Sequence, residues 1–342
     1  MSWKGCDRMF RAILIGCGRI AKNHVEAMAD SSRAEWVGFC DLVEARAEEK
    51  RDAYETLTGK HLPISKDYVA LMEETSPDVA IIATESGNHY EIAKNALLRG
   101  VHVLVEKPIT MKTEEADELI RIADDKGLTL GVCHQNRFNP VVGELRRAVE
   151  SGALGKIYHV TARILWTRDD AYYKLAPWRG TEAQDGGTLM NQCIHAIDLL
   201  RWTAGAKPVR VQAERARFSR PIEMEDFGAA LVRFDNGTVG IIEGTANVYP
   251  SNLEETLSVF AEKGTIVLGG MAVNKILTWR VEDFPEPEAG EEVKNVYGRG
   301  HLPLYEDYFA AIEEKREPLV SGREGRDSLA LVRAIYEAAP IE

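Results

Sequence analysis

Ala12-Ile13-Leu14-Ile15-Gly16-Cys17-Gly18-Arg19-Ile20-Ala21 joins a short apolar run to a Gly-x-Gly-x-x-Ala turn and the start of a helical stretch. An unbroken apolar run of this length suits a strand buried on both faces, and a glycine pair directly after it suits a turn that receives a dinucleotide. Gly16 permits the tight turn, Gly18 lets backbone approach a pyrophosphate, and the small Ala21 permits close helix–sheet packing. Arg19 and Ile20 lead into the helix, whose first amides offer partial positive charge to phosphates. Asp41 closes a second apolar run, 23 residues after Gly18. A carboxylate there accepts from both ribose hydroxyls and repels a 2′-phosphate, so NAD is the expected cofactor. The plainer alternative is a glycine pair that only turns the chain.

The same alternation continues outward to residue 133. Apolar runs at 10–15, 36–40, 79–83, 101–105 and 128–133, with a weak one near 62–65, are separated by amphipathic stretches. Residues 114–125, for example, carry Ala116, Leu119, Ile120 and Ala123 at helical spacing. Buried strands alternating with helices imply a doubly wound parallel sheet. After His134 the pattern changes. A helix over 141–150, a strand over 157–166 and a single helix over 188–203 precede strands at 209–217, 227–234, 238–247, 255–261 and 265–268. Asp235-Asn236-Gly237 is a hairpin signal, and closely spaced strands favour antiparallel pairing. Helical pattern returns at 305–314 and 328–338, and Pro285-Glu286-Pro287-Glu288 reads as an exposed loop. The expected architecture is an α/β Rossmann domain over 1–133 and an α+β domain over 134–342 with a large, mostly antiparallel sheet. The C-terminal helices of the second domain are free to pack back on the first.

A net charge of -12 opposes binding of nucleic acid or an anionic membrane through the overall field. No apolar run reaches the length of a membrane span. Met1 to Arg8 has no apolar signal core and reads as an extension ahead of the folded part. Cys6, Cys17, Cys40, Cys133 and Cys193 are scattered, odd in number and without metal-ligand spacing. They are expected to be buried thiols in a reducing compartment, with no metal bound and the cytoplasm as location.

Two further stretches carry chemistry. Val103-Leu104-Val105-Glu106-Lys107-Pro108 puts a charged pair at the C-terminal end of a strand, where open parallel sheets bind ligands. Its ordinary alternative is a surface lysine paired with Glu106. Asp185-Gly186-Gly187-Thr188-Leu189-Met190-Asn191-Gln192-Cys193-Ile194-His195-Ala196-Ile197-Asp198 forms an apolar stripe through Met190, Cys193, Ile194 and Ile197. Asn191, His195, Asp198 and Trp202 share another helical face, so His195 is more than a core filler. A solvated surface histidine is the bland alternative.

Glycine turn, Glu-Lys-Pro and the Gly-Gly helix with its histidine together resemble the glucose-fructose oxidoreductase / inositol dehydrogenase (Gfo/Idh/MocA) family. The likeness extends over nearly the whole chain, to the closing Glu324-Gly325-Arg326-Asp327-Ser328-Leu329. It implies that Lys107 lies beside the nicotinamide and contacts the reacting hydroxyl, with Glu106 in the same cofactor-binding segment. It implies that His195 is an acid/base. Imidazole titrates near neutrality, which suits proton abstraction as hydride leaves a carbinol, and a lysine cation stabilises alkoxide charge. The two roles are exchangeable if burial lowers the lysine pKa. The family commonly has Asp where this chain has Asn191; the change removes a charge and suits a substrate that carries its own negative charge.

Trp166-Thr167-Arg168-Asp169-Asp170-Ala171-Tyr172-Tyr173 and Trp178-Arg179-Gly180-Thr181 are dense in arginine and aromatics. Arginine forks suit carboxylate or phosphate, aromatic faces suit a sugar or base, and the helix start at Gly186-Gly187 is expected to add amide donors. The alternative is a packed loop whose arginines pair Asp169, Asp170 and Asp185. With Asn136-Arg137-Phe138-Asn139-Pro140, this string is similar to the UDP-N-acetylglucosaminuronate 3-dehydrogenases of bacterial polysaccharide synthesis. That likeness implies a UDP-sugar uronate bound by Arg137, Arg168, Tyr172, Tyr173, Trp178, Arg179, Asn191 and His195, oxidised at C3. It also implies a homo-oligomer and, in some members, recycling of bound NADH by a 2-oxo acid. A dehydrogenase of inositol or another uncharged sugar, an NAD-using glycosidase and an NAD-binding regulator are the rival functions.

Overall fold

The computed structural model describes residues 9–288, 290 and 298–341. The extension before Met9, with Cys6, lies outside the described residues. The chain divides into two compact units, one of residues 1–109, 114–133 and 301–324, the other of 110–113, 134–300 and 325–342.

The first unit runs β1 (Phe10–Ile15), α1 (Ala21–Ala29), β2 (Ala34–Cys40), α2 (Glu44–Thr58), β3 (Ile64–Ser65), α3 (Tyr68–Thr75), β4 (Val79–Ile82), α4 (His89–Leu98), β5 (His102–Val105), α5 (Thr113–Lys126) and β6 (Leu130–Val132). The strands form one sheet in the order β3-β2-β1-β4-β5-β6, parallel throughout. The order reverses between β1 and β4, and the C-terminal ends of those strands form the crevice where such sheets take ligands. β4 is buried along its whole length, as a strand covered on both faces must be. The weak run near 62–65 is only the two-residue β3 at the sheet edge.

The second unit contains α6 (Pro140–Glu150), β7 (Ile157–Leu165), α7 (Asp170–Lys174), α8 (Thr188–Asn191), α9 (Ile194–Ala204), β8 (Pro208–Ala216), β9 (Phe227–Phe234), β10 (Val239–Thr245), β11 (Glu254–Ala261), β12 (Gly264–Gly269) and β13 (Lys275–Val281). Its sheet has the order β13-β12-β11-β7-β10-β9-β8. Only β7 and β10 pair in parallel; the other neighbours are antiparallel. Gly237 closes the expected hairpin between β9 and β10 with φ 87°. Register places Val232, Gly240, Val160, Val259 and Ile266 in one row. α9 covers that face, packing on β7, β10 and β11. Leu231, Ile241 and Val267 occupy the row facing the other way. β13 was absent from the sequence reading. α10 (His301–Glu314) belongs to the first unit, where it packs on α1, and α11 (Gly322–Ala338) follows it.

The expected single helix over 188–203 is two helices. The Cys193 amide reaches past the normal partner to the Thr188 carbonyl at 3.0 Å, a five-residue step that widens the turn between α8 and α9. No described helix is long and apolar enough to cross a membrane.

Candidate active site

In the first unit, the turn after β1 has the geometry a dinucleotide requires. Gly16 has φ 95°, and a Cβ there would lie 2.5 Å from the Ala83 carbonyl group. A Cβ on Gly18 would meet no protein atom within 4 Å, so its missing side chain leaves open surface for a ligand's phosphates. Past Arg19, Ile20 caps α1 without a side-chain hydrogen bond, which leaves the helix start free of an internal anion. Asp41 accepts from the Cys17 amide (2.8 Å) and the Val43 amide (2.8 Å), which locks its carboxylate at the end of β2 beside the glycine turn. These residues fit an NAD molecule. The four described cysteines are buried and form no disulfide among the described residues, and burial pushes the Cys40 thiol up to about 12, so it stays protonated.

Glu106 and Lys107 follow β5. The Glu106 carboxylate turns inward, taking a hydrogen bond from His24 at 3.1 Å and one from the Lys107 amide at 3.2 Å. His301 lies 3.9 Å from the same oxygen. Burial alone would raise the Glu106 carboxyl, but hydrogen bonds and charge from His24 and His301 hold it well below its usual value. Tyr305 bonds the other nitrogen of His24 at 2.6 Å. On the far side of Lys107, His89 bonds the Pro108 carbonyl at 2.7 Å. The backbone on both sides of Lys107 is therefore pinned, while its side chain is half-buried. His24, His89 and His301 were not singled out in the sequence; their partners are 82, 19 and 195 positions away from them, beyond any local pattern.

In the second unit, α9 carries His195 half-buried, its ring edge-on to His134 at 5.4 Å between centroids. Three residues on, Asp198 is buried and gripped by both arms of Arg137 at 2.7 and 2.6 Å, with Ser328 donating at 2.6 Å. Burial would raise the Asp198 carboxyl; the charges of Arg137 and His134 overcome it and hold it far down. Arg137 also stacks on Trp202 at 4.7 Å. Sequence reading gave Arg137 to the substrate. Its fork is instead spent on Asp198, and it positions the helix of His195.

Arg168 and Arg179 flank the ring of Tyr172 at 5.2 and 4.3 Å. Arg168 also lies over Trp166 and Arg179 over Trp178. The Tyr172 hydroxyl accepts from Arg179 (2.6 Å) and from Gln192 (3.3 Å), which ties the stack to the α8–α9 junction. The aspartates of the packed-loop alternative are engaged elsewhere. Asp169 caps α7 at the Tyr172 amide, Asp170 lies 3.6 Å from Arg220, and Asp185 accepts from the Gly180 amide and from Asn191. Among the described residues, neither Arg168 nor Arg179 forms an ion pair with a carboxylate. Two guanidinium groups held on aromatic faces without an ion-paired carboxylate have the chemistry that suits an anion. Tyr173 is buried beneath it, edge-on to Tyr172 at 5.2 Å.

The amides at Gly186-Gly187 do not serve as anion donors. The Gly187 amide bonds the Tyr336 hydroxyl at 3.1 Å, Thr188 bonds the Glu225 carbonyl at 3.0 Å, and Leu189 bonds the Glu225 carboxylate at 3.0 Å. Glu225, buried with Arg215 at 3.3 Å, already fills the place of the expected ligand.

Comparison with known proteins agrees with both halves. The GFO/IDH/MocA oxidoreductase model with an NAD-binding Rossmann fold matches residues 10–134, and the C-terminal domain model of the same group matches 142–267. The chain belongs to the Gfo/Idh/MocA oxidoreductase family. As a family member it is an NAD-dependent oxidoreductase. This Gfo/Idh/MocA chain is similar to the WlbA dehydrogenase of Bordetella pertussis, solved with NADH and UDP-GlcNAcA, at 38% identity and TM-score 0.88 over 97% of this chain and 96% of that one. The WlbA dehydrogenase of Chromobacterium violaceum, solved with the same two molecules, is 37% identical with TM-score 0.85, over 97% and 94%. Inositol 2-dehydrogenase of Rhizobium meliloti is 25% identical over 96% of this chain and 97% of its own.

Proposed function

We propose that the chain oxidises the C3 hydroxyl of UDP-N-acetylglucosaminuronate, with NAD as hydride acceptor. The observation that carries this reading is the pair of guanidinium groups on Tyr172, without a carboxylate partner among the described residues. An uncharged inositol has nothing to offer two such cations, whereas a diphosphate and a uronate carboxylate supply the missing anions. The likeness to two dehydrogenases solved with UDP-GlcNAcA supports the same choice.

In this mechanism Arg179 and Trp178 receive the diphosphate side of the substrate and Arg168 its carboxylate, with Tyr172 and Tyr173 as walls. His195 accepts the proton of the C3 hydroxyl. Lys107, its backbone pinned by Glu106 and His89, supplies a cation that steadies developing alkoxide charge. Asn191, tied to Asp185, contributes an amide and adds no second negative charge beside an anionic substrate. A cytoplasmic location and a homo-oligomer go with the reading.

The test is initial rates with UDP-N-acetylglucosaminuronate, UDP-N-acetylglucosamine and myo-inositol, each with NAD, with and without 2-oxoglutarate. The uronate should exceed UDP-N-acetylglucosamine, which has a hydroxymethyl in place of the carboxylate, on the order of a hundredfold in kcat/KM, the scale of losing hydrogen bonds to a charged group. Equal rates on the two nucleotide sugars would reject the carboxylate argument. A faster rate with 2-oxoglutarate would show that NADH is recycled in place.

A further inference from the structure

Glu255, the second residue of β11, points to the face that α9 covers and is only 5% exposed. A carboxyl group in that position normally has every oxygen bonded. Here Asn136 approaches one oxygen at 3.5 Å, and the other, Oε2, has no hydrogen-bond partner. The side-chain oxygen of Asn136 and the Nε of Arg168 are likewise buried and unpartnered. Three polar groups from three separate segments are thus left with open valences in one region of the second unit. Fold stability does not account for them, because each open valence costs stability unless something fills it.

We propose that Glu255, Asn136 and Arg168 form the carboxylate-recognising part of the substrate site, with the Glu255 O–H as one of the donors. The inference rests on the uronate reading above and names the groups that distinguish a uronate from its uncharged counterpart. The open Glu255 O–H and Arg168 Nε–H are donors that suit an anion, while Asn136 holds the other Glu255 oxygen through its amide nitrogen and leaves its own oxygen to accept from a sugar hydroxyl. An ionised Glu255 would instead cancel the charge of Arg168 and repel the ligand.

Burial pushes the Glu255 carboxyl up to about 8, against the opposing pull of Arg168, so the proton is present at neutral pH. The groups around it are few. Arg168 follows β7, and Asn136 and His134 precede α6. α9, packed on β11, brings His195 and the Asp198 carboxylate, which Arg137 already neutralises. β12 contributes only apolar residues and glycine at that end.

The experiment is calorimetric titration of the NADH-loaded protein with UDP-glucuronate and with UDP-glucose, which differ only at C6, from pH 6.5 to 9.5. Affinity for UDP-glucuronate relative to UDP-glucose should be constant below pH 7 and fall about tenfold per pH unit above 8, as a bound anion requires the protonated acid. Glu255→Gln keeps a donor and loses the titration, so its ratio should stay flat across the range. A flat ratio in the wild type, or an unchanged slope in Glu255→Gln, overturns the inference. The wild-type ratio alone decides should the variant not fold. If neither nucleotide sugar binds, the uronate reading of the function fails, and the same titration with D-glucuronate against D-glucose then decides the role of Glu255. Stability gives a ligand-free readout. A carboxyl raised from 4.5 to about 8 on folding contributes stability that is complete below 4.5 and is lost as pH rises through 8. Glu255→Gln should therefore gain on the wild type as pH rises from about 4.5 to 8 and keep that gain above it, and no gain would show that the acid is not held protonated.

Discussion

His195→Asn lowers kcat by a factor between about 10² and 10⁴, the range for removal of a general base, while NADH binding is unchanged. Asparagine keeps a polar side chain of similar reach and removes the ring nitrogen that takes the proton. The residue is half-buried on α9, so the substitution leaves no large cavity. Steady-state kinetics with a fluorescence titration of NADH separates the two effects. A rate within threefold of wild type takes His195 out of the proton transfer and leaves Lys107 as the base.

The second large effect is on stability. Arg137→Met strands the Asp198 carboxylate in the interior, where it is 1% exposed, and should destabilise the second unit by about 3–5 kcal/mol. Arg137 stacks on Trp202, one of six tryptophans, and tryptophan fluorescence during urea unfolding measures the loss. Asp198→Leu added to Arg137→Met should recover most of the loss, since an apolar pair of similar size carries no stranded charge. The sign of the pH effect follows from the same pair. Asp198 is held below its ordinary 3.8, so its contribution is present at neutral pH and is lost as pH falls below that value. The single variant lacks that acid-sensitive component. A double variant as unstable as the single one would mean that Arg137 acts through packing rather than charge.

The first unit was legible because its information is local. Residues 12–21 contain strand, turn and helix start in order, and β1, β2, β4 and β5 appear as mainly apolar runs because helices cover both faces. β13 was missed for the opposite reason. It is a sheet-edge strand in which only Trp279 is buried; its alternation is confined to Leu277–Val281 and the pairing with β12 is interrupted by a register shift. The break between α8 and α9 has no glycine or proline to announce it; it depends on one amide reaching a carbonyl five residues back.

At the site, residue types were readable and partners were not. Arg168, Tyr172 and Arg179 lie within twelve positions of one another, and their stack is a short-range feature. Arg137 looked equally suited to an anion, but its anion is Asp198, 61 positions away. Glu255 gave no signal at all. In the sequence it is one of two adjacent glutamates, and only the pleat of β11 separates Glu254, which pairs with Arg163 on one face, from Glu255 on the other.

The most direct measurement of the central claim uses UDP-N-acetylglucosaminuronate carrying deuterium at C3 only. If His195 and Lys107 act on the C3 hydroxyl, the deuterium appears on the nicotinamide ring of the reduced cofactor, and single-turnover oxidation is slowed relative to unlabelled substrate. Reduced cofactor free of deuterium, formed at an undiminished rate, would contradict it.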